Sequence, residues 1–178
     1  MSQEAKPDPV MASEAWEDPL TERLSAAFPN LHLSFGKFRD QAFVSVPAAD
    51  LPALVTYLRD QEQYDYFADL TVVDYPAMPE RFELVVHLYS FAHNQRLRVK
   101  ARLADGQSFP TLSGLFPAAN WLEREAYDMF GVTFAGHPNL KRMLLPYDWQ
   151  GHPLRKENSI IAMDNDWVKR HLGIESGQ

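Results

Sequence analysis

The sequence predicts an α+β fold: a mixed β-sheet with helices packed on one side, followed by an extended C-terminal segment. Two consecutive stretches of alternating apolar residues, FELVVHLYSF and RLRVKARL, predict a long β-hairpin. Apolar residues at three- and four-residue spacing before and after this hairpin predict amphipathic helices. Beyond residue 136 the periodicity is lost over a stretch with several prolines and glycines, which is typical of a functional or partner-bound irregular segment.

The N-terminal third predicts a helix followed by a short hairpin. Asp18 and Pro19 are residue types preferred at a helix N-cap and at the first helical position. Leu20 and Leu24 then share one face, and Pro29 ends the helix. The sequence KFRD separates two short alternating stretches and predicts the turn of a hairpin.

A second helix and a long strand come next. Asp50 is placed to cap the helix. Its apolar stripe has the helical spacing of Leu51, Leu54, Val55 and Leu58. A strand is expected from about Tyr64 to Tyr75, where Pro76 stops it.

The register of the long hairpin follows from its alternation. A turn at residues 92–95 would set Leu88 opposite Val99 and Leu84 opposite Leu103. Both apolar sets then lie on one side of the sheet, an arrangement that a one-residue slip would destroy.

The other side of the second hairpin strand carries a row of cations, Arg96, Arg98, Lys100 and Arg102. Two interpretations remain open for this row: a solvated sheet face or an electrostatic docking stripe. The positive charge of the row would be compensated by solvent, by Asp65 and Asp69 of the preceding strand, or by a partner.

The last predicted helix follows Pro117 and ends at Gly131. Its expected apolar stripe is Ala118, Leu122, Ala126 and Met129. Asp128 lies in the final turn, where the helix dipole disfavours an anion by ~0.3–1 kcal/mol. No lysine or arginine occupies that turn, so we expect cations from elsewhere in the chain to come to it.

The segment after residue 136 supplies such cations. Residues 137–156 carry a balance of +3, whereas the whole chain carries −7. We expect Arg142 or Lys141 to fold back onto Asp128 or Glu125. The alternative is a set of ordinary exposed charges, worth ~0–1 kcal/mol per pair.

Composition and motifs exclude several classes of protein. The net charge of −7 argues against a general nucleic-acid binder, and the absence of cysteine excludes disulfides and thiolate-ligated clusters. No apolar run reaches the ~18 residues of a membrane span, and the N-terminus lacks the pattern of a signal peptide. No glycine-rich phosphate loop or nucleophile elbow is present. A metal site at Glu125, Asp128, His137 and His152 matches no helical His-Glu motif.

Residues 121–157, WLEREAYDMFGVTFAGHPNLKRMLLPYDWQGHPLRKE, closely resemble the signature region of the C subunit of bacterial NADH–quinone oxidoreductase, respiratory complex I. The matching positions of the first half are Glu123, Arg124, Glu125, Asp128, Met129, Phe130, Gly131, His137, Pro138, Lys141 and Arg142. GHPLRK, residues 151–156, matches the second hallmark of the family.

The resemblance implies a non-catalytic subunit of the peripheral arm, on the cytoplasmic side of the bacterial inner membrane. The expected partners are the D and B subunits and the neighbouring iron–sulfur subunits, with no nucleic acid, and with the membrane reached only through the complex. The chain itself is expected to hold no cofactor, metal or catalytic residue, while FMN and iron–sulfur clusters belong to partner subunits. The whole enzyme passes electrons from NADH to a quinone such as ubiquinone and pumps protons.

The resemblance also assigns a role to the charged residues, as a buried network at a subunit interface. The predicted interface residues are Glu123, Arg124, Glu125, Asp128, His137, Lys141, Arg142, Trp149, His152, Arg155 and Lys156. The chain is accordingly divided into a flexible N-terminal tail (1–15), an α+β domain (16–136) and an extended basic partner-binding tail (137–178).

Three other functions remain as alternatives. The first is the equivalent subunit of a complex I-like membrane-bound hydrogenase, or of an oxidoreductase that uses ferredoxin or another donor. The second is an independent hydrolase or metal enzyme that uses the acidic and histidine residues. The third is a nucleic-acid adaptor that uses the cationic row, which the acidity of the chain disfavours.

Overall fold

The computed structural model describes residues 13–158 together with Asp166, Lys169, Arg170 and Gly173. The predicted N-terminal tail up to residue 12, and most of the segment after residue 158, lie outside the described residues. Glu14, which was assigned to that tail, pairs with Lys37 through two backbone hydrogen bonds of 2.9 Å.

The helices and strands follow the predicted order. The described residues form helices α1 (Pro19–Ala27), α2 (Leu51–Asp60) and α3 (Ala119–Phe130). The strands are β1 (Ser34–Phe38), β2 (Gln41–Ser45), β3 (Tyr66–Asp74), β4 (Phe82–Ser90), β5 (Gln95–Leu103), β6 (Ser108–Pro110) and β7 (Thr133–Ala135). A single 3₁₀ turn, Ala48–Asp50, leads directly into α2.

Five strands form one mixed sheet in the order β1-β2-β5-β4-β3. Strands β2 and β5 are parallel, and the other neighbours are antiparallel. Strands β6 and β7 form a separate parallel pair on either side of α3 in the sequence, which the sequence patterns did not predict. The predicted α+β class with a mixed sheet is confirmed.

Local sequence signals explain the first elements. Asp18 caps α1 by accepting a hydrogen bond from the Leu20 amide, and Thr21 bonds back to the Asp18 backbone. The turn between β1 and β2 is formed by Arg39 and Asp40, both with positive φ, as a two-residue turn between antiparallel strands requires. The predicted cap of α2 is wrong in its mechanism, because Asp50 makes no capping hydrogen bond and the preceding 3₁₀ turn enters the helix instead.

The register of the long hairpin differs from the prediction by two residues. Leu88 pairs with Leu97, and Leu84 pairs with Ala101. The turn occupies residues 91–94, one position earlier than expected, and moving a turn by one residue shifts the pairing by two. An even shift leaves every side chain on its predicted face, so the apolar sets still coincide.

The inner face of the sheet and all three helices share one core. Strand residues such as Leu84, Val86 and Val99 are fully buried in it with Leu24 of α1. The four predicted stripe residues of α2 are each 0% exposed: Leu51, Leu54, Val55 and Leu58. The prediction that the helices pack on one side is therefore confirmed.

The opposite face, here called the open face, consists of cross-strand rows defined by the register. One row joins Tyr66, Tyr89 and Arg96, and the next joins Asp69, His87, Arg98 and Phe43. At the other end of the strands Glu83 binds Arg102 at 2.8 Å and Lys100 at 3.4 Å. Of the possible counter-charges, Asp69 lies in the same row as Arg98 but forms no ion pair with it among the described residues. Glu83 of the adjacent strand, which the sequence did not suggest, pairs with half of the cationic row.

Candidate functional site

The site is built on the C-terminal half of α3 and on the segment that covers it, residues 137–158, here called the C-terminal segment. The buried residues of α3 are Ala119, Glu123, Ala126, Asp128 and Phe130. The predicted stripe is wrong at Ala118, which is exposed, but Ala126 is buried, and Leu122 and Met129 are half-buried against the core. Apolar periodicity does not find the two buried carboxylates, because it assumes that acids point to solvent.

Asp128 is the centre of the site. Its side chain is 0% exposed and accepts four hydrogen bonds. The amides of Met143, Leu144 and Leu145 donate to one oxygen at 2.9, 2.8 and 2.9 Å. Arg142 donates to the other oxygen at 2.7 Å. Burial alone would raise the pKa of Asp128, but these donors outweigh it and hold the pKa below its ordinary value.

The C-terminal segment also caps the end of α3. The last carbonyl groups of a helix have no partner within the helix. Here the ring Nδ1 of His152 lies 3.0 Å from the carbonyl oxygen of Asp128. The Leu154 amide donates to the carbonyl of Met129 at 3.0 Å, and Arg155 donates to that of Phe130 at 2.6 Å. The predicted arrival of cations at this helix end is thus confirmed, through Arg142 and Arg155.

Gly131 permits this close approach. It ends α3 with φ +72°, a conformation that favours glycine. A Cβ atom on Gly131 would lie 2.5 Å from the ring of His152. The His152 ring also meets Tyr127 edge-on, with ring centroids 6.0 Å apart. Gly131 and His152 are therefore coupled by packing.

Two arginines join the parts of the C-terminal segment. Besides Asp128, Arg142 donates to the carbonyl of Gly151 at 2.9 Å, which links the two halves of the signature. Arg124 donates to the carbonyls of Lys141 and Arg142 at 3.1 and 3.2 Å and stacks over the Trp121 ring at 4.9 Å. Arg124 therefore pairs with backbone of the C-terminal segment and leaves Asp128 to Arg142.

Glu123 forms a second buried contact, on the other side of α3. It is 0% exposed and accepts 2.6 Å hydrogen bonds from the Thr111 hydroxyl and the Leu112 amide. His137 lies 3.9 Å away with its ring Nδ1 accepting from the Asn139 amide, which places the ring proton on Nε2. Burial raises the pKa of Glu123. Glu123 thus holds the loop before α3 against the helix.

A third anchor lies at residues 154–157. Asp74 has a 0% exposed side chain, binds Arg81 at 2.7 and 2.8 Å and accepts the Lys156 amide at 2.8 Å. Arg81 also bonds to Glu157, and Arg155 binds both oxygens of Asp105 at 3.0 and 3.1 Å. Burial would raise the pKa of Asp74, but its donors lower it.

Some predicted site residues stay on the surface. The side chains of Glu125, Lys141 and Lys156 are exposed, and Lys156 takes part through its backbone amide. Trp149 is half-buried. Within the part of the chain that the structure describes, no group of three or more His, Asp or Glu residues is placed to hold a metal ion.

Sequence reasoning missed Thr111, Asp74, Arg81 and Asp105. The pairing of Asp74 with Phe82 places Arg81 beside Asp74 at the end of the hairpin, so a correct β3–β4 register would have suggested this pair. The contacts to Thr111 and Asp105 depend on the path of loops and carry no sequence signal.

The fold and the site together define a structural α+β domain, in which buried carboxylates hold a C-terminal segment on the end of a helix. Residues 44–163 match the family model described as the 30-kDa subunit of respiratory-chain NADH dehydrogenase. The chain therefore belongs to that family, which includes the C subunit of NADH–quinone oxidoreductase.

Individual relatives agree with this assignment. The chain is 37% identical over 163 residues to the C subunit of NADH-quinone oxidoreductase from Geotalea uraniireducens, covering 91% of this chain and 99% of that one. It is 42% identical over 132 residues to the C/D subunit of the same enzyme from Bdellovibrio bacteriovorus, covering 68% of this chain and 24% of that one.

A solved structure shares the fold. A chain of the membrane-bound sulfane sulfur reductase, an archaeal respiratory membrane complex, superimposes with a TM-score of 0.67 at 24% identity. The match covers 89% of this chain and 92% of that one. Among the described residues no helix has the length and apolar character needed to cross a membrane.

Proposed function

We propose that this chain is a non-catalytic subunit of the peripheral arm of a proton-pumping NADH–quinone oxidoreductase, where it scaffolds the quinone-reducing module by docking to the D subunit. Membership of the family of the C subunit supports the enzyme. The Bdellovibrio relative, whose name joins the letters C and D, supports the D subunit as the partner. Where the two subunits are parts of one polypeptide, the C part is tethered within reach of the D part.

The observation that carries this proposal is the outer surface of the C-terminal segment. Its inward groups are satisfied within the chain, since Asp128 binds the amides of residues 143–145. Its outward side chains include Leu144, which is 58% exposed, and Tyr147, which is 84% exposed. Trp121 of α3 is 59% exposed beside the same segment, against Arg124. Aromatic residues at such positions are characteristic of interface cores.

The internal contacts refine the role of the charged residues. The carboxylate oxygens of Glu123 and Asp128 need no donors from a partner subunit, because their hydrogen-bond donors come from this chain. The buried network shapes the C-terminal segment, and the exposed apolar side chains make the contact with the D subunit. The exposed charges of Glu125 and Lys141 then lie at its rim, where charge steers association more than it adds affinity.

Redox chemistry belongs to other subunits in this proposal. The chain has no cysteine to ligate an iron–sulfur cluster. FMN and the clusters are held by partner subunits, and the D and B subunits form the quinone pocket. The chain lies on the cytoplasmic side of the inner membrane and reaches the membrane only through the complex.

Co-purification tests the docking surface. In cells that carry a tagged Leu144→Ala/Tyr147→Ala chain, we expect the D subunit to be lost from the purified complex while the thermal stability of the free chain is unchanged. Met78→Ala, at another exposed position (44%), serves as the control and should retain the D subunit. Full recovery of the D subunit with the double variant would refute docking through the C-terminal segment.

A complex I-like enzyme with another electron donor is the second candidate. The shared fold of a sulfane sulfur reductase chain favours it, because the fold occurs in more than one kind of respiratory complex. Electron transfer by the assembled enzyme decides between the two. Reduction of quinone by NADH supports the first proposal, and reduction by ferredoxin without NADH activity supports the second.

A further inference from the structure

The open face of the sheet carries charges that the chain neutralises at one end only. At the end of the sheet where β4 begins, Glu83 pairs with Lys100 and Arg102. At the other end, Arg96 and Arg98 form no ion pair with any residue that the structure describes. Burial, and then the neighbouring Arg96, lower the pKa of Arg98, which is half-buried. Asp69 lies in the same row, two strands away, and forms no described ion pair with it.

An exposed aromatic cluster adjoins these two arginines. Phe91 is 69% exposed and Tyr66 is 51% exposed. The Phe91 ring packs edge-on against Tyr66 and Tyr89, with centroids 5.4 and 4.9 Å away. Tyr89 lies directly opposite Arg96 in the register. Rings that hold one another in place lose little entropy on binding, and aromatic residues with arginine dominate interface hot spots.

This surface is separate from the C-terminal segment. The segment binds Asp74 and Arg81, where β3 ends and β4 begins. Tyr89 lies about eight residues farther along β4 than this anchor, which corresponds to roughly 26 Å at ~3.3 Å per residue. Leu154 of the segment also lies beside Leu70 and Thr71 of β3, and Leu70 is four residues, or about 13 Å, from Tyr66. One partner contact can therefore be lost without the other.

We propose that Tyr66, Tyr89, Phe91, Arg96 and Arg98 form a second docking surface, which binds an acidic surface of another protein. The arginines are complementary to carboxylates, which they bind through paired N–H donors. The net charge of −7 repels long polyanions and anionic lipid surfaces as a whole. A local acidic protein patch can instead contact Arg96 and Arg98 on β5 and leave the exposed Asp65 and Asp69 on the β3 side of the surface to solvent. The chain belongs to a family of subunits of a larger enzyme, so other proteins are expected to lie against its surface.

Site-specific photocrosslinking identifies the occupant. Benzoylphenylalanine replaces Phe91 in the full chain, and the assembled complex purified from cells is irradiated. The expected product is an adduct with one stretch of another protein in which aspartate and glutamate outnumber lysine and arginine. The same probe at Met78 should not form this adduct. No adduct, or an adduct with a second copy of this chain, a lipid, a nucleic acid or a stretch without surplus acid, overturns the proposal.

Charge reversal then tests the chemistry with the partner that was captured. Relative to the unaltered chain, Arg96→Glu/Arg98→Glu should weaken binding about 100-fold at about 0.1 M KCl. This estimate assumes a loss of about tenfold for each of the two charge pairs. The control Lys169→Glu/Arg170→Glu changes the net charge equally at two exposed positions outside this surface and should alter Kd by less than about threefold. Circular dichroism confirms that both variants are folded. Equal weakening by the two variants, or an affinity of the unaltered chain that does not fall with added salt, overturns the proposal.

Discussion

Asp128→Ala is the substitution that tests the site most directly. It removes the acceptor of three backbone amides and of Arg142, all from the C-terminal segment. Removing one partner of a buried ion pair costs ~3–5 kcal/mol. The Arg142 side chain is 16% exposed and Leu144 is on the surface, so water can reach some of the hydrogen-bond donors that lose their acceptor in the variant. We therefore expect a loss near the lower limit, about 3 kcal/mol.

Hydrogen exchange locates this loss in the free chain. The amides of Met143, Leu144 and Leu145 should exchange about 100-fold faster in the variant, since ~1.4 kcal/mol corresponds to a factor of ten. Denaturant unfolding reports whether the whole domain is destabilised as well. Glu125→Ala removes an exposed acid from the same helix and should change the free energy of unfolding by less than about 0.5 kcal/mol. Unchanged exchange at these three amides would refute the assignment of Asp128 as the anchor.

Three further expectations concern Gly131, Glu123 and the N-terminal residues. Gly131→Ala should destabilise the chain by about 2 kcal/mol more than Gly106→Ala in denaturant unfolding, since both have positive φ but only Gly131 meets the His152 ring; equal losses would contradict this. Because burial raises the pKa of Glu123, its stabilisation is complete below the ordinary pKa of 4.5 and is lost as the pH rises through the folded-state pKa. Glu123→Gln should lack that decline in a pH series of unfolding midpoints, and an unchanged pH profile would count against it. Removal of residues 1–12 should leave co-purification of partner subunits intact, and their loss would show that this tail binds a partner.

Residues close together in the sequence predicted most of the fold. The cap of α1 and the apolar stripe of α2 were predicted correctly because both depend on residues close together in the sequence. The faces of the β4–β5 hairpin were predicted correctly although the turn was misplaced by one residue. The alternation of apolar residues determines which side chains share a face, whereas the position of the turn determines which residues pair across the strands. The parallel pair β6–β7 was missed because its two three-residue strands are too short to show a period.

The sequence by itself determined the fold class, the family signature and the expectation that cations come to the end of α3. Only the tertiary structure decided which acids are buried. A carboxylate can be buried only where enough donors surround it, and those of Asp128 come from residues 142–145, while those of Glu123 come from residues 111 and 112. Such donors are supplied by loops whose path is set by packing across the whole domain, so no local pattern reveals them.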